Sequence, residues 1–290
     1  MKLSPDSEAI VGATAGVVAE HAEQITSVFY PTMFAAHPEL LNVFNTANQA
    51  VGEQPKALAA SVVAFAVQLL DPNAPDFTPV MRRIAHKHVS LGIKAREYTI
   101  VGRFLLDAVG TVLGAAVTPE VRAAWDEVYW LFATELIAQE AALYALGGTN
   151  PEKPWREYRV VERDEESTDI FSLVIAPVEG HVPTHDTGQY VAISVTLPDG
   201  SRQPRQYTIS SGPRRDSLRV TIKRVHGAAG VPDGIVSNWL YEHARPGAIL
   251  DVSQPAGDVV LDNTEAPLVL VSAGIGITPV AAILEDLSRR

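Results

Sequence analysis

The chain has 290 residues, and at roughly 100 to 200 residues per domain that length allows two domains, with room for part of a third, and disfavours a single core. Apolar residues make up 47% and charged residues 20%, which excludes a disordered or fibrous chain, and the net charge of −11 opposes extended contact with nucleic acid or an anionic membrane. The absence of cysteine removes disulfide scaffolds, thiolate nucleophiles, iron–sulfur clusters and cysteine zinc sites, and fits a reducing compartment.

Met1 to Asp6 turn acidic before any apolar run begins, so no signal peptide is expected and the chain reads as cytoplasmic. The following windows are helical. Leu58, Val62, Phe65 and Leu69 fall on one stripe, as do Val101, Leu105, Ala108 and Val112, and Val121, Trp125, Val128, Phe132 and Leu136. Ser4-Pro5 and Thr118-Pro119 each place a capping hydroxyl before a proline at the first helical position. The all-helical pattern ends near Tyr144, and two glycines and two prolines between Gly147 and Pro154 mark a domain junction.

Beyond the junction the period becomes two. Phe171, Leu173 and Ile175 alternate with their neighbours, as do Val191, Ile193, Val195 and Leu197, and Leu218, Val220 and Ile222; turn signals such as Pro198-Asp199-Gly200 separate the runs. An antiparallel β-barrel or sandwich is expected. Leu268 to Val271 then reads as a continuous apolar strand, followed by a glycine turn and a helix from Pro279, the opening of a parallel α/β unit. The window Ala266 to Leu284 carries no charge apart from its flanks and nears the ~20 residues of a membrane span. Its Gly274, Gly276, Pro267 and Pro279 favour the strand–turn–helix reading, and no membrane span is expected.

Several residues are chemically odd for their positions. His88 shares a stripe with Met81, Ile84 and Ala85 and points into the core, whereas His86, about 200° round the helix, faces away. His88 is either a core histidine bonded to a backbone carbonyl or a metal or haem ligand. Tyr98 lies on the stripe of Val101 and Leu105, and Glu140 extends that of Phe132 and Leu136. A buried carboxylate needs a partner. Were the three to meet, Glu140 would accept the proton of the imidazole nitrogen not bound to metal; equally, Glu140 could sit near the surface late in its helix.

Taken together, these strings resemble a flavohaemoglobin, the nitric oxide dioxygenase family that joins a haem globin, an FAD barrel and an NAD(P) domain. The matching strings are Phe29-Tyr30-Pro31-Thr32-Met33-Phe34, His37-Pro38-Glu39-Leu40, Phe44-Asn45-Thr46-Ala47-Asn48-Gln49, Ile84-Ala85-His86-Lys87-His88 and Glu97-Tyr98-Thr99-Ile100-Val101-Gly102. The resemblance implies a b-type haem with His88 as proximal iron ligand and Tyr98 and Glu140 as its hydrogen-bonding partners. It also implies Tyr30 as the distal hydroxyl that stabilises dioxygen, Gln54 as its polar neighbour, Leu58 as the apolar wall, Phe44 as packing on the haem, and Lys87 as a tuner of redox potential.

Arg205-Gln206-Tyr207-Thr208 resembles the Arg-x-Tyr-Ser/Thr flavin motif. By that resemblance Tyr207 stacks on the isoalloxazine, Thr208 bonds the ring and Arg205 pairs with the FAD pyrophosphate. Gly188-Gln189-Tyr190 supplies a second aromatic contact, Val236-Ser237-Asn238-Trp239-Leu240 opens a helix whose start faces the flavin phosphates, and Pro255-Ala256-Gly257-Asp258 ends the barrel. Read without the family, Arg205 to Thr208 could be one more strand. Ser272 to Pro279, with Gly274, Ile275, Gly276, Ile277 and Thr278 between, resembles the family's NAD(P) loop but lacks the third glycine of a dinucleotide fingerprint.

The expected architecture is thus an all-α globin (1–146), a linker (147–154), an antiparallel β-barrel FAD domain (155–261) and the first βα unit of an α/β NAD(P)-binding domain (262–290). Because the resemblance stops one strand and one helix into that last domain, the chain is expected to be shortened, to bind haem and FAD, and to use its cosubstrate NAD(P)H slowly. The implied small-molecule partners are dioxygen, nitric oxide and NAD(P)H, with no nucleic acid. Two other functions compete: an oxygen-binding or sensing globin with an attached reductase, and a flavin or ferric reductase whose globin half has lost haem. The hydroxyl of Tyr30 and the carboxylate of Glu140 favour the dioxygenase.

Overall fold

Ser4 sets the start of the first helix. Its hydroxyl accepts a hydrogen bond from the Ser7 amide at 3.4 Å, and Pro5 follows at the first helical position, opening α1 (Pro5–Glu20). Among the described residues the helices α2 (Ala22–Ala36), α3 (Glu53–Leu70), α4 (Thr78–Leu91), α5 (Glu97–Leu113) and α6 (Pro119–Leu146) follow, with a 3-10 turn at Pro38–Asn42. Thr118 repeats the device ahead of α6, accepting from the Val121 amide at 3.3 Å. The computed structural model describes residues 2–44, 53–71, 73–227, 232–261 and 267–289.

Packing divides the chain into two units. The first comprises Met1–Ala85 and Ile93–Ala141, and the second His86–Gly92 and Ala142–Arg290, so α4 and α6 each contribute to both. In the first unit α2 packs on α3 and α5, and the stripes expected from the sequence close over one another, burying Val62, Phe65, Leu105, Ala108, Trp125, Val128, Phe132 and Leu136. Among the described residues one helical stretch, Glu97–Ala116, is long and apolar enough to cross a membrane; its Leu105, Leu106, Ala108 and Val109 are buried within this unit. Gly102 sets the approach of α5 to α6, since a Cβ there would lie 2.3 Å from the Tyr129 ring. That closeness lets the Tyr129 hydroxyl donate to the Tyr98 carbonyl at 2.5 Å.

The second unit is built on β1 (Trp155–Ser167), β2 (Ile170–Pro177), β3 (Tyr190–Thr196), β4 (Arg202–Thr208), β5 (Leu218–Lys223) and β6 (Ile249–Ser253), with α7 (Ile235–His243) between the last two strands. The sheet order is β4-β3-β6-β1-β2-β5, every pairing is antiparallel, and a bridge from Ile209 to Val220 joins the two ends into a barrel. Closure leaves no long unpaired edge. Phe171 opposes Ile222, Leu173 opposes Val220 and Ile175 opposes Leu218, and these pairs share a core with Tyr158, Val191, Ile193, Val252 and, from α7, Val236 and Leu240. On β3 the expected alternation gives way, because Ala192 and Ser194 are buried as well as Val191, Ile193 and Val195. Arg163 is a further surprise: its side chain is 4% exposed, lies between the rings of Phe171 and Tyr241 at 4.5 and 4.8 Å, and donates to the carbonyls of Tyr241 and Ala244.

The parallel strand expected over Leu268–Val271 does not form. The segment carries no ladder, and Leu268, Val269 and Val271 are exposed. A parallel strand is stable only between neighbours that satisfy its amides and cover its faces, and no described residue supplies one. The helix of the expected unit, α8 (Ile277–Arg289), does form and holds to the barrel: Thr187 donates to Asp286 at 2.9 Å, and Glu285 accepts from the Gly212 amide at 3.0 Å and from Arg214 at 2.7 Å. Its 13 residues are too few to span a bilayer.

The close contact at Gly102 yields a test. Gly102→Ala must displace the Tyr129 ring and weaken its bond to the Tyr98 carbonyl, so it should destabilise the first unit by about 1–3 kcal/mol in denaturant unfolding.

Candidate functional site

In the first unit, Tyr98 and Glu140 meet as the sequence suggested. Glu140 is 3% exposed and accepts a hydrogen bond from the Tyr98 hydroxyl at 2.5 Å, so it is a partnered core carboxylate and not a surface residue. Burial first, and then the charge and hydrogen bond of Glu140, raise the Tyr98 phenol above the usual tyrosine range. Burial likewise raises Tyr129, partly offset by a backbone hydrogen bond.

Tyr30, on α2, is buried in an aromatic cluster. Its ring meets Phe29 edge-on at 4.6 Å and Phe44 at 5.9 Å, and Phe34 meets Phe44 at 5.1 Å. Pro31, immediately after it, lies inside the helix and cannot donate a helical bond. Leu58 is half-buried on α3. Gln54 lies on the same helix, but its side chain is outside the described residues, as are Asn45 to Gln49 of the matching string.

His88 is half-buried on α4, on the face of the buried Met81 and Ala85, while Lys87 beside it is exposed. Among the described residues no cluster of His, Asp or Glu could hold a bare metal ion. A single histidine of this kind suits an iron that takes its other ligands from a porphyrin. His86 faces away from His88 and into packing. It is 9% exposed, and its Nδ1 accepts the Gly257 amide proton at 3.0 Å.

The FAD candidates lie in the second unit. Tyr190 and Thr208 oppose each other across β3 and β4, one step from the pair Val191 and Tyr207. Burial pushes the Tyr190 phenol up to about 12, opposed by a hydrogen bond with Ser90, and raises Tyr207 as well, opposed by the charge of Arg205. Arg205 donates to the Pro204 carbonyl at 2.7 Å and to Gln203 Oε1 at 3.3 Å, with no carboxylate at ion-pair distance among the described residues. Burial therefore lowers its pKa, and an anion such as a pyrophosphate would relieve that desolvated charge. The residues fit FAD on this ground. Ser211 adds to it: its hydroxyl is buried without a partner among the described residues, three positions after Thr208. The string Ser210-Ser211 following the flavin motif was the available signal, and sequence reasoning passed over it.

Two of the FAD candidates make hydrogen bonds within the protein. Gln206 donates from Nε2 to the Ser90 hydroxyl at 2.8 Å, and Ser237 accepts from the Val225 amide at 3.1 Å while donating to the Gly234 carbonyl. For NAD(P), Gly274 to Gly276 form an exposed 3-10 turn ahead of α8, Thr278 donates to the Ile275 carbonyl at 3.0 Å, and Pro279 stands in the first turn of the helix.

A helical unit with a buried Tyr–Glu pair, and a second unit with a half-buried histidine on α4 and a closed antiparallel barrel carrying an Arg-x-Tyr-Thr strand, define a globin joined to a flavin-type reductase barrel. Comparison agrees: a globin family model matches residues 27–136. The chain is 43% identical to the flavohemoproteins of Bordetella parapertussis and Deinococcus radiodurans, in each case over 99% of its own length and 72% and 70% of theirs. Its structure superposes on a flavohemoglobin from Malassezia yamatoensis, solved with bound FAD and haem, with a TM-score of 0.88 at 35% identity, covering 100% of this chain and 74% of that one. The chain belongs to the flavohemoprotein family.

The raised phenols predict an alkaline transition. Each tyrosine ionises more readily in the unfolded chain, so their contribution to stability is complete below the unfolded pKa of about 10 and is lost as pH rises above it. In a titration followed at 295 nm, Tyr98, Tyr129 and Tyr207 should resist ionisation until the protein unfolds, and Tyr129→Phe should lessen the pH dependence of stability above that point.

Proposed function

We propose that this chain is the haem- and flavin-bearing portion of a nitric oxide dioxygenase, in which nitric oxide, dioxygen and one electron combine to nitrate and NAD(P)H supplies electrons in pairs. A bound haem would supply the iron that carries dioxygen, and a bound FAD would convert a hydride into single electrons. The observation that supports this most directly is the buried Tyr98–Glu140 pair. Simple oxygen storage needs no carboxylate in the core, whereas a pair of this kind, assigned with His88 to the proximal side, suits an electron-rich imidazole.

The chain's own residues divide the work. Tyr30 offers a phenol donor inside an apolar, aromatic enclosure, where a single hydrogen bond is worth more than in water. Leu58 and Phe44 exclude water from that side, with Gln54 assigned as the polar neighbour. In the barrel, Arg205 would hold the pyrophosphate of a bound FAD, Tyr207 would stack on its ring with Tyr190 as a second aromatic contact, and Thr208 would hydrogen-bond the ring. The glycine turn before α8 offers backbone amides to NAD(P)H, and Lys87 adds a positive charge beside the ligand.

Three measurements test this. The oxygenated protein mixed with nitric oxide in a stopped-flow instrument should yield nitrate faster than it releases oxygen; nitrate formation no faster than release would leave an oxygen-binding or sensing globin. Tyr30→Phe should speed oxygen release by about 100-fold through loss of one buried donor. His88→Ala should abolish the Soret band, and an unchanged band would overturn the ligand assignment.

A further inference from the structure

The last two turns of α4 present two buried polar groups to the barrel. His86 and Ser90 are four residues apart and share a face, and His88, two residues from each, points about 160–200° away from them. His86 Nδ1 accepts from the Gly257 amide at 3.0 Å. Ser90 Oγ accepts from Gln206 Nε2 at 2.8 Å and donates to the Lys87 carbonyl at 2.7 Å. The serine hydroxyl thus both accepts from the barrel and donates back to its own helix. Gly257 is equally committed: its φ is +120°, and a Cβ there would lie 3.1 Å from the Tyr190 ring, so the backbone that bonds His86 also backs that ring.

We infer that His86 and Ser90 are positioning residues that fix the helix carrying His88 against the strands carrying Tyr190, Gln206 and Tyr207, and so set the geometry for electron transfer from flavin to haem. This rests on the function proposed above. Neither residue touches a reacting atom. Their effect is on distance and orientation, since a displacement of about 1 Å at a reacting centre can cost about 100-fold in rate. Both are polar groups on a buried face, and a face needing only to pack would be filled by apolar side chains at no desolvation cost.

The test uses the 290-residue chain loaded with haem and FAD, without NAD(P)H. Flash photolysis reduces the flavin, and haem reduction is followed at the Soret band. Flavin occupancy is read from the fluorescence of released FAD, and amide exchange at Gly257 is measured in cofactor-free protein. In His86→Leu and Ser90→Ala, both cofactors should remain bound, flavin-to-haem transfer should slow about tenfold or more, and the Gly257 amide should exchange faster in His86→Leu. His86→Asn, whose Oδ1 can accept the same proton, should restore both rate and protection. Transfer within about twofold of wild type in variants that hold both cofactors would overturn the inference. So would loss of FAD by both Ser90→Ala and His86→Asn, which would show a purely structural role. Absence of flavin-to-haem transfer in the wild type would instead refute the function on which the inference rests.

Discussion

The hydrogen bond from the Gly257 amide to His86 depends on the helical repeat of α4. At 3.6 residues per turn, side chains two apart point to nearly opposite sides, so one short stretch can give one imidazole to the barrel and another to the face of Met81 and Ala85. Ser90 repeats the placement one turn later. The stretch His86–Gly92 accordingly packs as part of the barrel unit although it lies within a helix of the globin sequence. The requirement that buried polar groups be partnered fixes the register: a rotation of α4 by one residue would leave the Gly257 amide and the Gln206 side chain without acceptors.

Inside the helical unit the same rule acts on a different scale. Glu140 and Tyr98 are 42 residues apart in sequence and form one bond, while Tyr129 holds the Tyr98 backbone from a neighbouring helix. The three residues restrain α5 and α6 together. Gly102 is a condition of this arrangement, because only a residue without a side chain lets the Tyr129 ring lie against α5. Burying a carboxylate is costly in an apolar core, and the phenol donor meets part of that cost.

The sequence made legible what depends on local periodicity. The helical stripes, the hydroxyl–proline caps and the alternating cores of β2 and β5 are visible because each is set by the side chains of a single element. Periodicity tells which residues oppose one another but not what lies opposite: the acceptor that His86 offers is used by a backbone amide 171 residues away. Arg163 was invisible for the same reason, since nothing in the string around it announces that Phe171 and Tyr241 will enclose its guanidinium. The strand read from Leu268 to Val271 shows the converse limit. An apolar run has the propensity for a strand, but a parallel strand is a property of a ladder and requires neighbours.

Strand β4 divides its side chains between two faces. Its side chains alternate, so Arg205 and Tyr207 point to one side and Gln206 to the other. Gln206 reaches the hydroxyl of Ser90 on α4. The period of two on the strand thus puts Arg205 and Tyr207, which the resemblance assigns to the flavin, on the side opposite the helix contact of Gln206, and the period of 3.6 on α4 separates His86 from His88 in the same way. A shift of one residue in either element would exchange the two sides. The barrel's pairings, with Tyr190 opposite Thr208 and Ile193 opposite Arg205, therefore constrain α4 as well as the flavin motif.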